Sequence, residues 1–499
     1  MNIRQKIKEG FVFFDGATGT MLSQMASLIP GQAPETLNLQ EPQAVTALHR
    51  MYIEAGANVL KTNTFGANRL KHKDPDAIIA AAFACAKEAK GEKDVCIALD
   101  IGPLGKLLKP LGTLDFEEAV SVFADMVRSG VKYGADAILI ETMIDTYELK
   151  AALLAAKEHS DLPVFVSCTV GADGKLMTGA DPEAVVALVE GLGADAVGVN
   201  CSAGPESLRE TVKRFYEAAS IPVIANPNAN LPRIEDGKPV YDTTDKEFAE
   251  SACLLAKNGA RMLGGCCGTT PAMIAALKAA LQNETPLPLV QRKRTVISSH
   301  THAYLFESNA TLIGECINAA DKEELKEALL AHDMADLEDM ALDQKDEGAA
   351  VLNVNVSIAD IDEAETLPEA VCAIQAVCDL PLQIDATNSK ALKKAIRAYN
   401  GKPLINLINE PTSAAENVFS IAKKYGGVVM VSSLDEAGAP ATAEGRAAIA
   451  ERIVKQAEQY GLCTHDVLFD PFAISDADVA RDTERLLEEK GYKCLKRGI

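Results

Sequence analysis

The segment GLGADAVGVNCS, residues 191–202, contains the pattern that decides the fold. A glycine ends a preceding helix and turns the chain into a short apolar run that finishes on polar residues. Glycine–alanine pairs hold the same position in EAGANV (54–59), KYGADA (132–137) and KNGARM (257–262). This repetition indicates an architecture in which helices alternate with buried strands.

Eight short apolar runs alternate with amphipathic stretches in the first 285 residues. The runs are rich in β-branched residues and apolar on both faces, as in strands buried inside a parallel sheet. Eight such units in about 250 residues are typical of a (β/α)8 TIM barrel, and a doubly wound open sheet is the structural alternative. The predicted strands are FVFFD (11–15), NVLKTNT (58–64), CIALD (96–100), AILIET (137–142), PVFVSCT (163–169), AVGVNCS (196–202), PVIANPN (222–228) and RMLGG (261–265).

The pattern stops near residue 286 and starts again after residue 310. The proline-bearing, basic stretch between them is typical of a linker, so we predict domains over 1–285 and 311–499 with a linker over 286–310. A closed barrel needs eight strands, and the second domain offers six and the start of a seventh at YKCLKRGI (492–499). The predicted fold is therefore α/β, with an N-terminal TIM barrel and a second TIM-barrel-like domain that is incomplete at its C-terminal end. Its six strands are LIGE (312–315), AVLNVNV (350–356), PLQIDAT (381–387), PLINLIN (403–409), GVVMVSS (427–433) and DVLFDPF (466–472).

Composition excludes several classes of protein. The chain has 49 basic and 71 acidic residues, and its net charge of −22 argues against nucleic-acid and anionic-membrane partners. No apolar run approaches the roughly 20 residues of a membrane span, and the first ten residues lack the apolar core of a signal peptide. The 12 cysteines spread over 499 residues do not form a small disulfide scaffold. We therefore expect a cytoplasmic protein without a nucleic-acid or membrane partner.

Three cysteines lie where a TIM barrel gathers its chemistry, at the C-terminal ends of the strands. Cys201 ends the sixth predicted strand, and the adjacent Cys266 and Cys267 follow the eighth. Three thiolates with an open fourth position are typical of a catalytic zinc site, and sulfur ligands favour zinc over magnesium or calcium. Buried thiols without a metal remain the alternative, because the three cysteines form no CxxC array.

Two carboxylates, Asp15 and Glu141, follow other predicted strands of the same barrel. One carboxylate in such a position often only caps the next loop, but two beside three cysteines could bind a cationic amino group. The segment DGATGT (15–20) could hold an anion such as a carboxylate with its backbone N–H groups, although it lacks the phosphate-loop pattern. Together these groups describe a site for an amino acid that bears a thiol.

The motifs DGATGT, TNTFGANR, DIGPLG, ETMID, NCSAGP and GGCCGTTP occur in this order. With them, the first 285 residues resemble the homocysteine-binding module of the cobalamin-dependent methionine synthases, in the homocysteine S-methyltransferase family. The resemblance implies that Cys201, Cys266 and Cys267 bind Zn²⁺. It also implies that the homocysteine thiolate on zinc is the nucleophile, so that no side chain is a catalytic residue. The homocysteine contacts that it implies are Asp15, Gly16, Ala17, Thr18, Glu141 and Asn200.

Residues 311–499 resemble the methyltetrahydrofolate-binding, or pterin-binding, barrels related to dihydropteroate synthase. Cys316 stands where that family has arginine, Asn353 stands where an aspartate is usual, and the family's later Gly-x-Ser-Asn segment would come after Ile499. Because of these departures we expect weak binding of methyltetrahydrofolate or none. The folate contacts that the resemblance implies are Glu315, Asn318, Asp385, Asn388, Asn406 and Asp470.

The predicted activity is zinc-dependent methyl transfer to homocysteine, giving methionine, as one component of a cobalamin and methyltetrahydrofolate methionine synthase system. The chain has no DxHxxG cobalamin motif, so methylcobalamin would come from a separate corrinoid protein. One alternative is a homocysteine methyltransferase that uses S-methylmethionine, another sulfonium or betaine as its donor. Another is a non-catalytic scaffold that binds folate or a corrinoid protein.

Overall fold

The computed structural model describes residues 2–496 except 27, 29–30, 236–237, 308, 320–321, 408–411, 433–437 and 474–476. The chain divides into two compact units, Met1–Arg292 and Lys293–Ile499. Within the described residues, no helix combines the length and the hydrophobicity that a membrane span requires.

The first unit alternates strands and helices as the sequence predicts. Its strands are β1 (Val12–Phe13), β2 (Val59–Lys61), β3 (Cys96–Ile101), β4 (Ala137–Met143), β5 (Val164–Cys168), β6 (Ala196–Cys201), β7 (Val223–Pro227), β8 (Arg233–Glu235), β9 (Lys238–Val240) and β10 (Ala260–Leu263). Its α-helices are α1 (Ile3–Glu9), α2 (Gly19–Met25), α3 (Leu37–Gln40), α4 (Pro42–Ala55), α5 (Pro75–Lys90), α6 (Phe116–Lys132), α7 (Thr146–His159), α8 (Pro182–Gly191), α9 (Arg209–Ala218), α10 (Asp245–Lys257) and α11 (Pro271–Ala280). Two short 3₁₀ helices span Pro34–Thr36 and Pro205–Leu208.

Eight of these strands form one parallel sheet in the order β1-β10-β7-β6-β5-β4-β3-β2. A parallel bridge between Phe14 and Val59 joins the two ends of the sheet, and the Asp15 N–H donates to the Val59 carbonyl at 3.1 Å. The glycine of each glycine–alanine pair has a positive φ, from 79° at Gly193 to 112° at Gly259, as a helix-ending turn requires. The predicted eight-stranded TIM barrel is confirmed.

The barrel interior is filled by alternate residues of each strand, because successive side chains of a strand point to opposite faces. Ile3 and Ile7 of α1 belong to the same buried cluster, and Arg261 donates to the Ile7 carbonyl at 2.8 Å. Helix α1 therefore covers the end of the barrel at which the strands begin. The other members of the cluster are Val12, Phe14, Val59, Cys96, Ala98, Ala137, Leu139, Phe165, Ala196, Ile224 and Met262.

The second unit repeats the alternation with seven parallel strands. Its strands are β11 (Val296–Ser298), β12 (Ala303–Leu305), β13 (Ile313–Asn318), β14 (Val351–Asn355), β15 (Leu382–Asp385), β16 (Leu404–Leu407), β17 (Val428–Val431), β18 (Val467–Phe469) and β19 (Lys493–Cys494). Its helices are α12 (Glu323–Leu330), α13 (Ala335–Asp346), α14 (Glu363–Val377), α15 (Ser389–Ala398), α16 (Thr412–Tyr425), α17 (Ala443–Gln459) and α18 (Ala477–Glu489), with a 3₁₀ helix over Thr464–Asp466.

Strands β13 to β19 lie side by side in chain order. The sheet curls so that the Thr311 N–H, just before β13, donates to the Lys496 carbonyl, just after β19, at 2.6 Å. Within the described residues the sheet has seven strands, as in the incomplete TIM-barrel-like domain that the sequence predicts.

An antiparallel hairpin of β11 and β12 lies inside the predicted linker 286–310. Ile297 of the hairpin and Phe306 after it are buried in one cluster with Val351, Leu404 and other strand residues of the second unit. The Tyr399 hydroxyl also donates to the Ser298 carbonyl at 2.7 Å. Sequence analysis did not foresee this hairpin, which adds apolar side chains to the core of the second unit.

Gly198 of β6 provides a test of the barrel packing. An alanine Cβ at this position would overlap the backbone oxygen and nitrogen of Ile224 on β7, which a closed sheet cannot move aside cheaply. We expect Gly198→Ala to lower the free energy of unfolding by about 2 kcal/mol or more, measured by urea denaturation of the full chain. Gly10→Ala is the control, because a Cβ there would meet no atom within 4 Å. Equal loss of stability in the two variants would contradict the proposed packing.

Candidate functional site

The three predicted zinc ligands come together at the C-terminal end of the barrel. Cys201 is the last residue of β6, and Cys266 and Cys267 lie in the loop after β10. Their three Sγ atoms lie within 4.8 Å of one another, and the Sγ atoms of Cys201 and Cys267 are 4.0 Å apart. All three side chains are partly buried. Although Cys201 and Cys266 lie 65 residues apart in the sequence, the two cysteines are therefore neighbours in the fold.

Backbone geometry places these sulfur atoms. Cys201 and Ser202 both have left-handed φ values, 56° and 58°, so the chain turns sharply as it leaves β6. The Cys266 N–H donates to the Pro227 carbonyl at 2.8 Å, and the Ala229 N–H donates to the Cys267 carbonyl at 2.9 Å. These bonds tie the cysteine loop to the end of the adjacent strand β7, which itself pairs with β6.

The three thiols share their protons unequally. Hydrogen bonds from Cys266 and Cys267 lower the pKa of Cys201 to about 3. The bond to Cys201 in turn raises the pKa of Cys266 and that of Cys267 above the ordinary thiol value. The cluster therefore concentrates negative charge on Cys201, as suits a site for a cation.

Asn200 connects the cysteine cluster to the rest of the barrel. Its Oδ1 accepts hydrogen bonds from the Thr142 N–H at 2.8 Å and from the Ser167 hydroxyl at 2.9 Å. Its Nδ2 donates to the Thr142 hydroxyl at 2.8 Å and lies 3.9 Å from the Cys266 Sγ. Asn200 thus holds the ends of β4, β5 and β6 in register beside the sulfur atoms.

A buried group of charged residues lies in the same end of the barrel. The two-residue step that directs Val59, Ala98 and Leu139 into the interior continues to Lys61, Asp100 and Glu141. All three are buried, as is Asp15.

The Lys61 ammonium lies between the two predicted amino-group ligands. Its Nζ is 3.9 Å from Asp15 Oδ1 and 3.6 Å from Glu141 Oε2, and it donates to the Gly265 carbonyl at 3.3 Å. The Lys61 backbone N–H donates to Asp15 Oδ2 at 2.9 Å. Among the described residues, no hydrogen-bond donor reaches Asp15 Oδ1 or Glu141 Oε2. Both carboxylates keep an acceptor atom available.

Burial controls the ionisation of this group. It raises the pKa of Asp15 and that of Glu141 to about 7, and the charge of Lys61 limits both increases. Burial also raises the pKa of Asp100, and the Glu141 charge adds to this effect. Burial alone would lower the pKa of Lys61, but Glu141 and Asp15 raise it above its ordinary value. Lys61 therefore stays charged and keeps part of the surrounding negative charge in place.

The predicted anion-binding segment is held by the loop after β10. The Ala17 N–H donates to the Thr269 hydroxyl at 3.0 Å, and the Tyr52 hydroxyl donates to the Ala17 carbonyl at 2.9 Å. A Cβ at Gly16 would overlap Thr269 and Tyr52. Thr18 precedes the first residue of α2. The Ala17 amide is therefore engaged within the protein.

In the second unit, the structure brings together two of the predicted folate contacts. Asp385 Oδ2, at the end of β15, accepts hydrogen bonds from Asn406 at 3.0 Å and Asn355 at 3.1 Å. Burial raises the pKa of Asp385, and these two amides limit the increase. Asn355 ends β14 and was not among the predicted residues.

The remaining predicted folate contacts have other surroundings. Asn388 caps α15 through a bond to the Ala391 N–H and donates to Glu363 Oε2 at 2.7 Å. Asp470 is buried after β18, and its Oδ1 accepts from the Phe472 N–H at 3.1 Å. Glu315 is exposed, and Asn318 is partly buried at the end of β13.

Lys61 was also missed by sequence analysis. It lies inside the quoted strand NVLKTNT, where a charged residue interrupts an apolar run at the C-terminal end of a strand. That signal was available, but it does not show whether the side chain points into the barrel or out of it.

Both parts of the chain match models of known protein families. The family model described as homocysteine S-methyltransferase matches residues 12–281, and the one described as pterin binding enzyme matches residues 314–488. The homocysteine methyltransferase MmuM of Escherichia coli, in its metallated form, is 22% identical, with a TM-score of 0.48, over 56% of this chain and 99% of that protein.

Two curated relatives match more than nine tenths of the chain. The methionine synthase of Mycobacterium tuberculosis (strain ATCC 25618 / H37Rv) is 29% identical over 94% of this chain and 42% of its own length. That of Mycobacterium leprae (strain TN) is 29% identical over 91% of this chain and 41% of its own length. The chain thus spans about two fifths of the length of these relatives. Since the first family model covers more than half of the chain, the protein belongs to the homocysteine S-methyltransferase family of methyltransferases.

Proposed function

We propose that the first unit binds one zinc ion through Cys201, Cys266 and Cys267 and methylates homocysteine to methionine. The observation that carries this proposal is the meeting of three sulfur atoms from the ends of β6 and β10. Zinc–sulfur bonds of about 2.3 Å in a tetrahedron place sulfur atoms about 3.8 Å apart. The separation of 4.0 Å between Cys201 and Cys267 fits this value, and all three Sγ atoms lie within 4.8 Å.

Three protein ligands leave one tetrahedral position for a substrate, as in catalytic rather than structural zinc sites. The electrostatics of the cluster also suit the ion, because the hydrogen bonds from Cys266 and Cys267 lower the pKa of Cys201 and so favour its thiolate. When bound, zinc would lower the pKa of a substrate thiol, so that the nucleophilic thiolate forms near neutral pH.

The residues around the cysteines would orient an amino acid. Asp15 and Glu141 offer free acceptor atoms for its ammonium group. The backbone of Gly16 and Thr18 would receive its carboxylate, while the Ala17 amide supports the loop through Thr269. Asn200 would keep Cys201 and Cys266 in place through its bonds to Thr142 and Ser167.

The reaction itself exchanges one proton for one methyl group. The homocysteine thiol loses its proton, the sulfur forms a bond to the methyl carbon, and the bond between that carbon and the donor breaks. Methionine is a thioether and no longer has an acidic thiol, so its sulfur is a much poorer metal ligand than a thiolate. The product is therefore released more readily than the substrate.

The order of the two modules bears on the choice of methyl donor. A homocysteine S-methyltransferase match followed by a pterin-binding match, together with two methionine synthase relatives, supports the proposal that methylcobalamin is the donor. Methyltetrahydrofolate would then bind in the second unit, where Asp385, Asn355 and Asn406 form a polar group at adjacent strand ends. A donor such as S-methylmethionine or betaine, and a scaffold without catalysis, are the competing functions.

The zinc assignment predicts different results for two cysteine variants. Cys266→Ala should lower bound zinc well below one ion per chain, because two sulfur ligands remain, and should abolish methionine formation. Cys253→Ala should change neither, since Cys253 lies on the outer helix α10. Zinc would be measured by elemental analysis of the purified variants. Equal zinc content in the two variants would refute the ligand assignment.

The open ligand position separates an enzyme from a scaffold. Homocysteine should shift the visible spectrum of the cobalt-substituted wild-type protein if its sulfur occupies that position. An unchanged spectrum at saturating homocysteine would support a purely structural metal.

The donor is tested by assaying methionine formation with methylcobalamin, S-methylmethionine and betaine in parallel. We expect turnover with methylcobalamin. Calorimetry should also detect weak binding of methyltetrahydrofolate to the second unit. Asp385→Ala should remove this binding, because the carboxylate at the centre of the polar group is lost. Lys345→Met, which removes an exposed ion pair of the second unit, is the control. Turnover with S-methylmethionine or betaine alone would favour the competing enzyme.

A further inference from the structure

We propose that Lys61 determines substrate specificity at the thiol site: its ammonium competes with the amino group of homocysteine for Asp15 and Glu141. This inference rests on the proposed function, which assigns those two carboxylates to the substrate ammonium. It adds that Lys61 lowers the preference of the site for a thiol with an amino group over a thiol without one.

The position of Lys61 supports competition. Its Nζ lies 3.9 Å from Asp15 Oδ1 and 3.6 Å from Glu141 Oε2, which are the two atoms that accept no hydrogen bond from the described residues. A substrate nitrogen within hydrogen-bonding distance of both atoms, about 3 Å, would have to share them with Nζ. The protein's own ammonium thus already offsets part of the negative charge of the two carboxylates that an incoming ammonium needs.

Lys61 has little freedom to withdraw. Its side chain is only 4% exposed, and its Nζ donates to the Gly265 carbonyl at 3.3 Å. Its backbone N–H is fixed on Asp15 Oδ2. Removing a charged ammonium from a buried site without a new partner is costly, so Lys61 stays while the substrate binds, and two like charges then face each other inside the barrel.

Charge balance gives the direction of the effect. Asp15, Asp100 and Glu141 are the acidic side chains of this buried group, and Lys61 is a basic one. Like charges a few ångströms apart repel strongly in a protein interior. Replacing Lys61 by a neutral side chain removes that repulsion, and the substrate ammonium can then take the place of Nζ between Asp15 and Glu141. The change should strengthen binding only for a ligand that carries an ammonium group.

Two thiols that differ only in the amino group test this inference: L-homocysteine and its desamino analogue, 4-mercaptobutanoate. Each would be titrated into cobalt-substituted full-length protein, and the ratio of the two dissociation constants compared between variants. Lys61→Met should shift the ratio at least about tenfold toward homocysteine, with little change for 4-mercaptobutanoate. Lys61→Gln should shift it in the same direction, and it keeps a polar group if the methionine variant folds poorly.

Lys278→Met is the matched control. Like Lys61, Lys278 donates to a glycine carbonyl, that of Gly56 at 3.2 Å, but it lies on the exposed face of the outer helix α11. It should leave the ratio unchanged. The wild-type protein offers a further measurement that needs no variant, because competition by Lys61 predicts that it binds 4-mercaptobutanoate within about tenfold of homocysteine.

The outcomes separate this inference from the proposed function. If both thiols bind and the Lys61 variants leave the ratio unchanged or shift it toward 4-mercaptobutanoate, competition by Lys61 is refuted while the thiol site stands. If neither thiol perturbs the cobalt spectrum of the wild type, the proposed function fails and this inference fails with it.

Discussion

Alternate side chains of eight closed strands must share one interior, and this constraint governs both the stability and the chemistry of the first unit. Along β2, β3 and β4 the inward positions change from apolar residues to Lys61, Asp100 and Glu141 within one two-residue step. The apolar side chains exclude water from one side of the charged residues, so burial shifts the pKa values of these residues. The shifted pKa values of the charged residues therefore depend on the apolar side chains packed beneath them.

Much of this site could be predicted from the sequence because parallel strands end together. Cys201, Cys266, Asp15 and Glu141 were found by reading the residues that follow each apolar run, and the structure places all four at one end of the barrel. Lys61 could not be placed in the same way, because a shift of one residue reverses the direction of a strand side chain. The sequence does not fix that register.

The second unit shows a different limit of sequence analysis. The hairpin of β11 and β12 has short strands, and its turn residues resemble those of any polar linker. Only packing of Ile297 against distant strand residues gives it a defined structure. Asn355 was missed for a related reason, because its amide gains a partner only when the fold places it beside Asp385. Both features depend on contacts between residues far apart in the chain.

The placement of α1 limits how a ligand can reach the interior of the first barrel. Within the part of the chain that the structure describes, Ile3 and Ile7 close the interior where the strands begin, so a ligand would reach the buried charged group from the opposite end. A bound ligand would have to leave through that end before another ligand could bind. A molecule bound over that end would block both the binding of a ligand and its release.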